Sequence, residues 1–97
     1  MKIGERVEKI IFKVIDEKNI ELGLEMEKSI NTSIIGPESQ LDSLGIFSFV
    51  LDIEKEIENE FDAEITLIND DFFNNESDHM QNIKKLKLFL TQKLSNI

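Results

Sequence analysis

Apolar residues recur at three- and four-residue steps in three segments, and this spacing is what most limits the fold of the chain. The first segment runs from Lys2 to about Glu17, the second from about Ser43 to Glu60, and the third follows Asp78. The period of an α-helix places such residues on one face, which is buried against another element. We therefore expect an all-α domain whose helices pack around one core.

Each predicted helix has an apolar face that can be assigned from the sequence. The faces comprise Ile3, Val7, Ile10, Ile11, Val14 and Ile15 in helix one; Leu44, Phe47, Val50, Leu51, Ile57 and Phe61 in helix two, with Ile46 and Ile53 beside them; and Ile83, Leu86, Phe89, Leu90 and Leu94 in the last helix. Asp78 and Gln81 have the spacing of a capping box for that last helix.

A short additional helix is predicted between the second and the last. Asn69 or Asp70 would cap it, and Phe72 and Phe73 would be buried by it. The sum is four helices.

The stretch between Asn19 and Gln40 loses the helical periodicity and contains a Gly36-Pro37 break. It predicts a long loop, with one short helical turn near Leu24 to Lys28. Long ordered loops in small domains are usually functional or cover a core. The apolar residues that we expect to anchor it are Leu22, Leu24, Met26, Ile30, Ile34 and Ile35.

Length and charge limit the class of protein further. Ninety-seven residues, 40% of them hydrophobic, form one domain, 1–97. Twenty acids against 11 bases give a net charge of −9, which disfavours nucleic acid and anionic membrane surfaces and favours basic protein partners. No apolar run is long enough to span a bilayer and no secretory signal is visible, so we expect a cytoplasmic protein.

The stretch "SQLDSLGIF" places Ser43 where the loop gives way to helix two. Either Ser43 or Asp42 can cap this helix by accepting a hydrogen bond from a first-turn N–H. Capping alone would explain an isolated Asp-Ser-Leu triplet. Here the triplet follows a long loop and opens an acidic amphipathic helix, "LDSLGIFSFVLDIEKEIENEFDAEI", in a chain without cysteine.

These features together resemble an acyl carrier protein. The resemblance covers the size and helix order of nearly the whole chain, and its specific part is residues 41–44 and the acidic helix that continues to residue 65. It implies a four-helix bundle with a long loop between helices one and two. It also implies that a phosphopantetheinyl transferase esterifies Ser43 with 4′-phosphopantetheine from coenzyme A, and that Asp42 and Leu44 help enzymes recognise the site.

The acids of helix two allow two interpretations. A run of charge is usually a solvated face, and the family uses the same helix to dock acyl-loading and acyl-processing enzymes through their basic patches. We expect these acids to point away from the core, and this orientation is compatible with both a solvated face and a docking surface. The residues assigned to docking are Asp52, Glu54, Glu56 and Glu58.

Two features depart from the general fatty-acid carriers of this family. Helix two is about one turn longer, and Gly45 replaces a residue that is commonly charged or polar there. Gly45 either lets a partner backbone approach or is simply tolerated. The longer helix two moves the acidic surface relative to Ser43 and favours a specialised carrier that serves a dedicated pathway.

We therefore expect a monomeric carrier of acyl, aminoacyl or polyketide thioesters that is not itself an enzyme. The alternative is a cofactor-free acidic helical interaction module in which Ser43 only caps helix two. No metal site is expected, because "NDDFFNNESDHM" offers no calcium loop with glycine at its sixth and glutamate at its twelfth position, and His79 is the only histidine.

Overall fold

The computed structural model describes residues 2–65 and 81–95, and these ranges contain three helices. Helix α1 spans Ile3–Leu22, α2 spans Ser43–Phe61 and α3 spans Ile83–Ser95. Helix α1 packs against both of the others. The described part of the chain is therefore all-helical, as predicted, with a single isolated β-bridge. The predicted short helix with Asn69, Asp70, Phe72 and Phe73 lies outside the described residues.

Helix α1 continues five residues beyond its predicted end at Glu17. Its buried face continues through Lys18, whose long side chain is almost wholly covered. The helix ends at Gly23, which has φ +66, and the next N–H, that of Leu24, donates to the Asn19 carbonyl at 3.0 Å. Glycine adopts this left-handed conformation without a steric cost, so the helix stops there.

Helix α2 begins at the predicted residue, but the predicted apolar face was partly wrong. Leu44 is 80% and Phe47 is 40% exposed, whereas Phe49 is fully buried. The run "GIFSFVLDI" offers apolar residues on more than half of the helix circumference, so periodicity alone does not fix its rotation. The buried residues are Gly45, Ile46, Phe49, Val50, Ile53 and Ile57.

The long loop is ordered by a few anchors, as predicted. Met26 and Ile34 are buried, and the Asn19 side-chain amide holds Met26 by accepting from its N–H at 2.9 Å and donating to its carbonyl at 3.0 Å. Leu24 and Ile35 pack against the core. The expected helical turn near Leu24 to Lys28 does not form; the chain turns at residues 28–31 instead. Leu22 and Ile30 were predicted to be anchors and are exposed.

The loop also completes the start of α3. The Ile83 N–H donates to the Thr32 carbonyl at 3.0 Å, and the Lys84 N–H donates to the Ile30 carbonyl at 2.8 Å. Asn82 caps the next N–H, that of Lys85, through its side-chain oxygen at 2.9 Å. The predicted capping box of Asp78 and Gln81 is therefore not the start of this helix, and Asp78 lies outside the described residues.

The core lies between α1 and the other two helices and beneath the loop. No helix in residues 2–65 or 81–95 has the length and apolar character that crossing a membrane requires. The buried hydrophobic residues are Val7, Ile10, Ile11, Val14, Ile15, Met26, Ile34, Leu41, Ile46, Phe49, Val50, Ile53, Ile57, Ile83, Leu86, Leu90 and Leu94.

Candidate functional site

The start of α2 is capped by Asp42, not by Ser43. Asp42 has an extended backbone, and its Oδ1 accepts a hydrogen bond from the Gly45 N–H at 2.7 Å. The Asp42 carbonyl accepts from the Ile46 N–H at 2.8 Å. Ser43 is exposed, and its hydroxyl has no hydrogen-bond partner among the described residues. Capping therefore does not account for the serine.

The first two N–H groups of α2, those of Ser43 and Leu44, also have no acceptor within the described ranges. Both residues are exposed. The partial positive charge of a helix N-terminus favours an anion at such groups. A phosphate ester on the Ser43 Oγ would thus be formed at a place that stabilises its negative charge.

Gly45 is buried by neighbouring residues of the same chain. A Cβ atom at this position would lie 3.1 Å from Asp42 Oδ1, 3.2 Å from Leu41 Cδ2 and 3.6 Å from Leu22 Cδ1. The glycine thus lets Leu41 and Asp42, at the end of the loop, approach α2 closely, whereas the distance to Leu22 is that of an ordinary van der Waals contact. The hypothesis that Gly45 serves the approach of a partner backbone does not fit this geometry.

Three of the acids of α2 pair with cations of α1. Asp52 pairs with Lys18 at 2.7 Å, Glu56 with Lys13 at 3.0 Å, and Glu60 with Arg6 at 3.0 Å. We call these three pairs the α1–α2 seam. Because the cations follow α1 while the acids run backwards along α2, the seam shows that the two helices are antiparallel. Asp52 and Glu56, both predicted to dock partners, already have partners within the chain.

Arg6 also secures the far end of α2. Its guanidinium donates to the Glu60 carboxylate at 3.0 and 3.1 Å and to the Glu60 carbonyl at 3.0 Å, and it lies 4.2 Å from the centre of the Phe61 ring. A cation near the C-terminus of a helix also complements its dipole. The C-terminal end of α2 is thereby tied to α1.

Lys18 lies at the other end of the seam and is 1% exposed. Its ammonium donates to Ser48 Oγ at 2.6 Å and to the carboxylates of Asp52 and Glu21 at 2.7 and 3.2 Å. Burial works to lower the pKa of Lys18, but the hydrogen bonds to Asp52 and Glu21 outweigh it, so the pKa is raised. Lys18 was missed from the sequence, although it follows Val14 and Ile15 at helical spacing.

Lys13, in the middle of the seam, is more exposed. Its hydrogen bond to Glu56 and the charge of that carboxylate raise the pKa of Lys13 above its ordinary value. The exposure of both side chains means that the pair contributes little to stability.

The remaining predicted docking acids lie on another side of α2. Glu54 and Glu58 border a cavity of about 210 Å³ that is also lined by Leu51, Lys55, Glu64 and Ile65. Glu58 is exposed and Glu54 is half-buried. The four predicted docking residues are therefore split between the seam and this outer side.

Residues 2–65 and 81–95 contain no group of three or more histidine, aspartate or glutamate side chains that could hold a metal ion. His79 and the rejected calcium loop, residues 69–80, lie outside the described residues. The arrangement around Ser43 thus offers an exposed hydroxyl and two outward N–H groups.

No protein-family model, curated protein or solved structure matches this chain. The resemblance to acyl carrier proteins therefore stays a prediction.

Proposed function

We propose that this chain is an acyl carrier protein whose Ser43 carries 4′-phosphopantetheine. The observation that carries the proposal is that Asp42, and not Ser43, caps the start of α2. Asp42 supplies the cap, so that Ser43 presents a hydroxyl beside two outward N–H groups and next to the exposed Leu44. A hydroxyl that only capped the helix would be engaged with the first turn.

The modification is a phosphoryl transfer in which Ser43 is the acceptor. The Ser43 Oγ forms a bond to the phosphorus of coenzyme A that bears the pantetheine arm. The bond from this phosphorus to the bridging pyrophosphate oxygen breaks, and adenosine 3′,5′-bisphosphate leaves. The hydroxyl proton passes to a base on the phosphopantetheinyl transferase. The negative product ester then lies at the positive end of α2.

The arm supplies the chemistry that the polypeptide lacks. The chain has no cysteine, and the terminal thiol of the arm would hold acyl, aminoacyl or polyketide intermediates as thioesters. The protein is then a carrier and not an enzyme, and it acts as a monomer in the cytoplasm. Tethering raises the effective concentration of the intermediate at each partner site.

Partner enzymes dock on α2 beside Ser43. Leu44 offers exposed apolar surface there, and Glu54 and Glu58 lie away from the seam and attract basic patches. Asp52 and Glu56 bind α1 in the free protein, so a partner cation would have to compete with Lys18 and Lys13 for them. The exposed Glu58 is therefore favoured as the main docking acid.

The test is the intact mass of the protein after incubation with coenzyme A, magnesium and a broad-specificity transferase. The wild type should gain the mass of one phosphopantetheine and Ser43→Ala should gain none. Ser95→Ala removes another exposed hydroxyl, at the end of α3, and should be modified like the wild type. No gain by the wild type with several transferases would favour the cofactor-free interaction module instead.

A further inference from the structure

The first half of α2, from Ser43 to Leu51, contains no charged residue. Its two phenylalanines differ in their surroundings, since Phe49 is fully buried and Phe47 is 40% exposed. Residues four apart lie on the same side of an α-helix, and Ser43 precedes Phe47 by four positions. The rotation of this half that leaves Phe47 outside therefore also leaves the Ser43 hydroxyl outside.

Hydrophobic burial alone does not select this rotation. Phe49 and Ile53 form a pair on the buried side, four residues apart and both fully covered. Phe47 and Leu51 form a second pair at the same spacing and of similar size. Burying either pair removes a similar apolar area from water. Another interaction has to determine which pair lies inside.

Lys18 of α1 provides such an interaction. Its ammonium donates to Ser48 Oγ at 2.6 Å and pairs with the Asp52 carboxylate at 2.7 Å. Ser48 and Asp52 are four residues apart, so both mark one side of α2. Lys18 is 1% exposed, and turning that side of α2 away would leave its ammonium buried with only Glu21 of its own helix. A buried charge that loses its partners is unfavourable.

We propose that Lys18 fixes the rotation of the first half of α2 and thereby keeps residue 43 in solvent. The second half of the helix has other constraints, because Glu56 and Glu60 pair with cations of α1. Lys18 is a positioning residue that acts on Ser43 through Ser48 and Asp52. The inference goes beyond the proposed function, since it concerns which side of α2 faces solvent and holds whether or not Ser43 is modified.

The test uses a single thiol, because the chain has no cysteine of its own. In the otherwise wild-type chain, Ser43→Cys should react rapidly with an aromatic disulfide reagent. Adding Lys18→Met keeps an unbranched side chain but removes the charge. It should slow the reaction about three- to tenfold, in proportion to the fraction of molecules in which residue 43 has turned inward. Because the Asp52 side chain is 30% exposed and reaches water, no buried carboxylate is left unpaired and the chain should stay folded.

Two controls separate rotation from general loosening. Lys13→Met is the matched control on α1, since Lys13 also pairs with an acid of α2 but its side chain is 59% exposed. In this background the Ser43→Cys thiol should react as in the wild type. Ser95→Cys places the thiol at an exposed position of α3, and Lys18→Met should not change the rate of its reaction.

The outcomes distinguish this inference from the proposed function. Equal Ser43→Cys rates with Lys18→Met and Lys13→Met, both folded by circular dichroism, would overturn the role of Lys18 only. If Lys18→Met does not fold, Asp52→Asn tests the same contact from α2, and a rate equal to that with Lys13→Met would likewise overturn it. Failure of a transferase to modify the wild type would overturn the proposed function and leave the thiol result in place.

Discussion

The first turns of α2 and α3 are completed in opposite ways. At α3, backbone carbonyls of the long loop accept from the first two N–H groups, those of Ile83 and Lys84, and Asn82 accepts from the third. At α2, Asp42 accepts from the third N–H, that of Gly45, and within the described residues nothing accepts from the first two. One helix start is closed by the fold and the other is left open.

The start of α3 differs from both other helix starts, because Lys2 at the N-cap of α1 makes no side-chain cap hydrogen bond and Asp42 at α2 accepts only from the third N–H. Buried backbone donors are normally paired with an acceptor. At α3 the acceptors are carbonyl groups of the long loop, which is distant from α3 in the sequence. Leaving the donors of Ser43 and Leu44 to solvent is costless in an exposed position. It becomes favourable when an anion is attached to the adjacent hydroxyl.

The largest effect on the difference between the two helix starts is expected from a substitution at Ile34, which loosens the loop that pairs the first N–H groups of α3. Its side chain is fully buried, and the loop carbonyls that close α3 come from residues shortly before it. We expect Ile34→Ala to lower the free energy of unfolding by about 3 kcal/mol, as large-to-small core substitutions do. Chemical denaturation measures this loss, and amide hydrogen exchange should show faster exchange at Ile83 and Lys84.

Ile30→Ala is the matched control. Ile30 is 38% exposed and contributes to the closure of α3 through its backbone carbonyl, which the substitution retains. Its effect should stay below about 1 kcal/mol. Equal losses for the two variants would contradict the view that Ile34 anchors the loop to α3.

This closure is also where sequence reasoning reached its limit. The pairing of Ser33 with Asn82 joins residues far apart in the chain, and local periodicity carries no information about such a contact. The sequence predicted the start of α2 at Ser43 and the buried anchors Met26 and Ile34, whereas Leu44, which the periodicity placed on the apolar face, is exposed.

The rotation of α2 was missed for a related reason. Its apolar residues cover a broad sector, and the choice of Phe49 over Phe47 for the interior depends on α1. The acids of the seam meet Lys18, Lys13 and Arg6 only when the two helices pack antiparallel. Relative rotation of two helices is a tertiary property, so the pairing of Asp52 and Glu56 with α1 was not predicted.

Smaller losses of stability are expected when the side-chain cap of α2, Asp42, or that of α3, Asn82, is removed. Asp42→Ala should cost about 1.5 kcal/mol, because Asp42 supplies both the acceptor and a negative charge at the positive end of α2. Asn82→Ala should cost about 1 kcal/mol, since the loop carbonyls still hold the start of α3. Asp42→Asn keeps an acceptor and should cost about 0.5 kcal/mol. Denaturant midpoints at constant m-value measure all three.

The order of these three variants is the informative result. A larger loss for Asn82→Ala than for Asp42→Ala would mean that the loop carbonyls do not support the start of α3. A loss for Asp42→Asn as large as that for Asp42→Ala would mean that the charge, and not the hydrogen bond to Gly45, dominates the cap.

The smallest expected effect is that of Ser43→Ala on stability, and it separates the two roles of residues 42 and 43. A serine that caps a helix loses about 1 kcal/mol when replaced by alanine. Because Asp42 holds the cap and the Ser43 hydroxyl has no partner among the described residues, the change in the free energy of unfolding should stay below about 0.5 kcal/mol. Thermal and denaturant unfolding of the unmodified proteins measure it. A loss near that of Asp42→Ala would return Ser43 to the role of a cap; a negligible loss leaves its hydroxyl available for attachment.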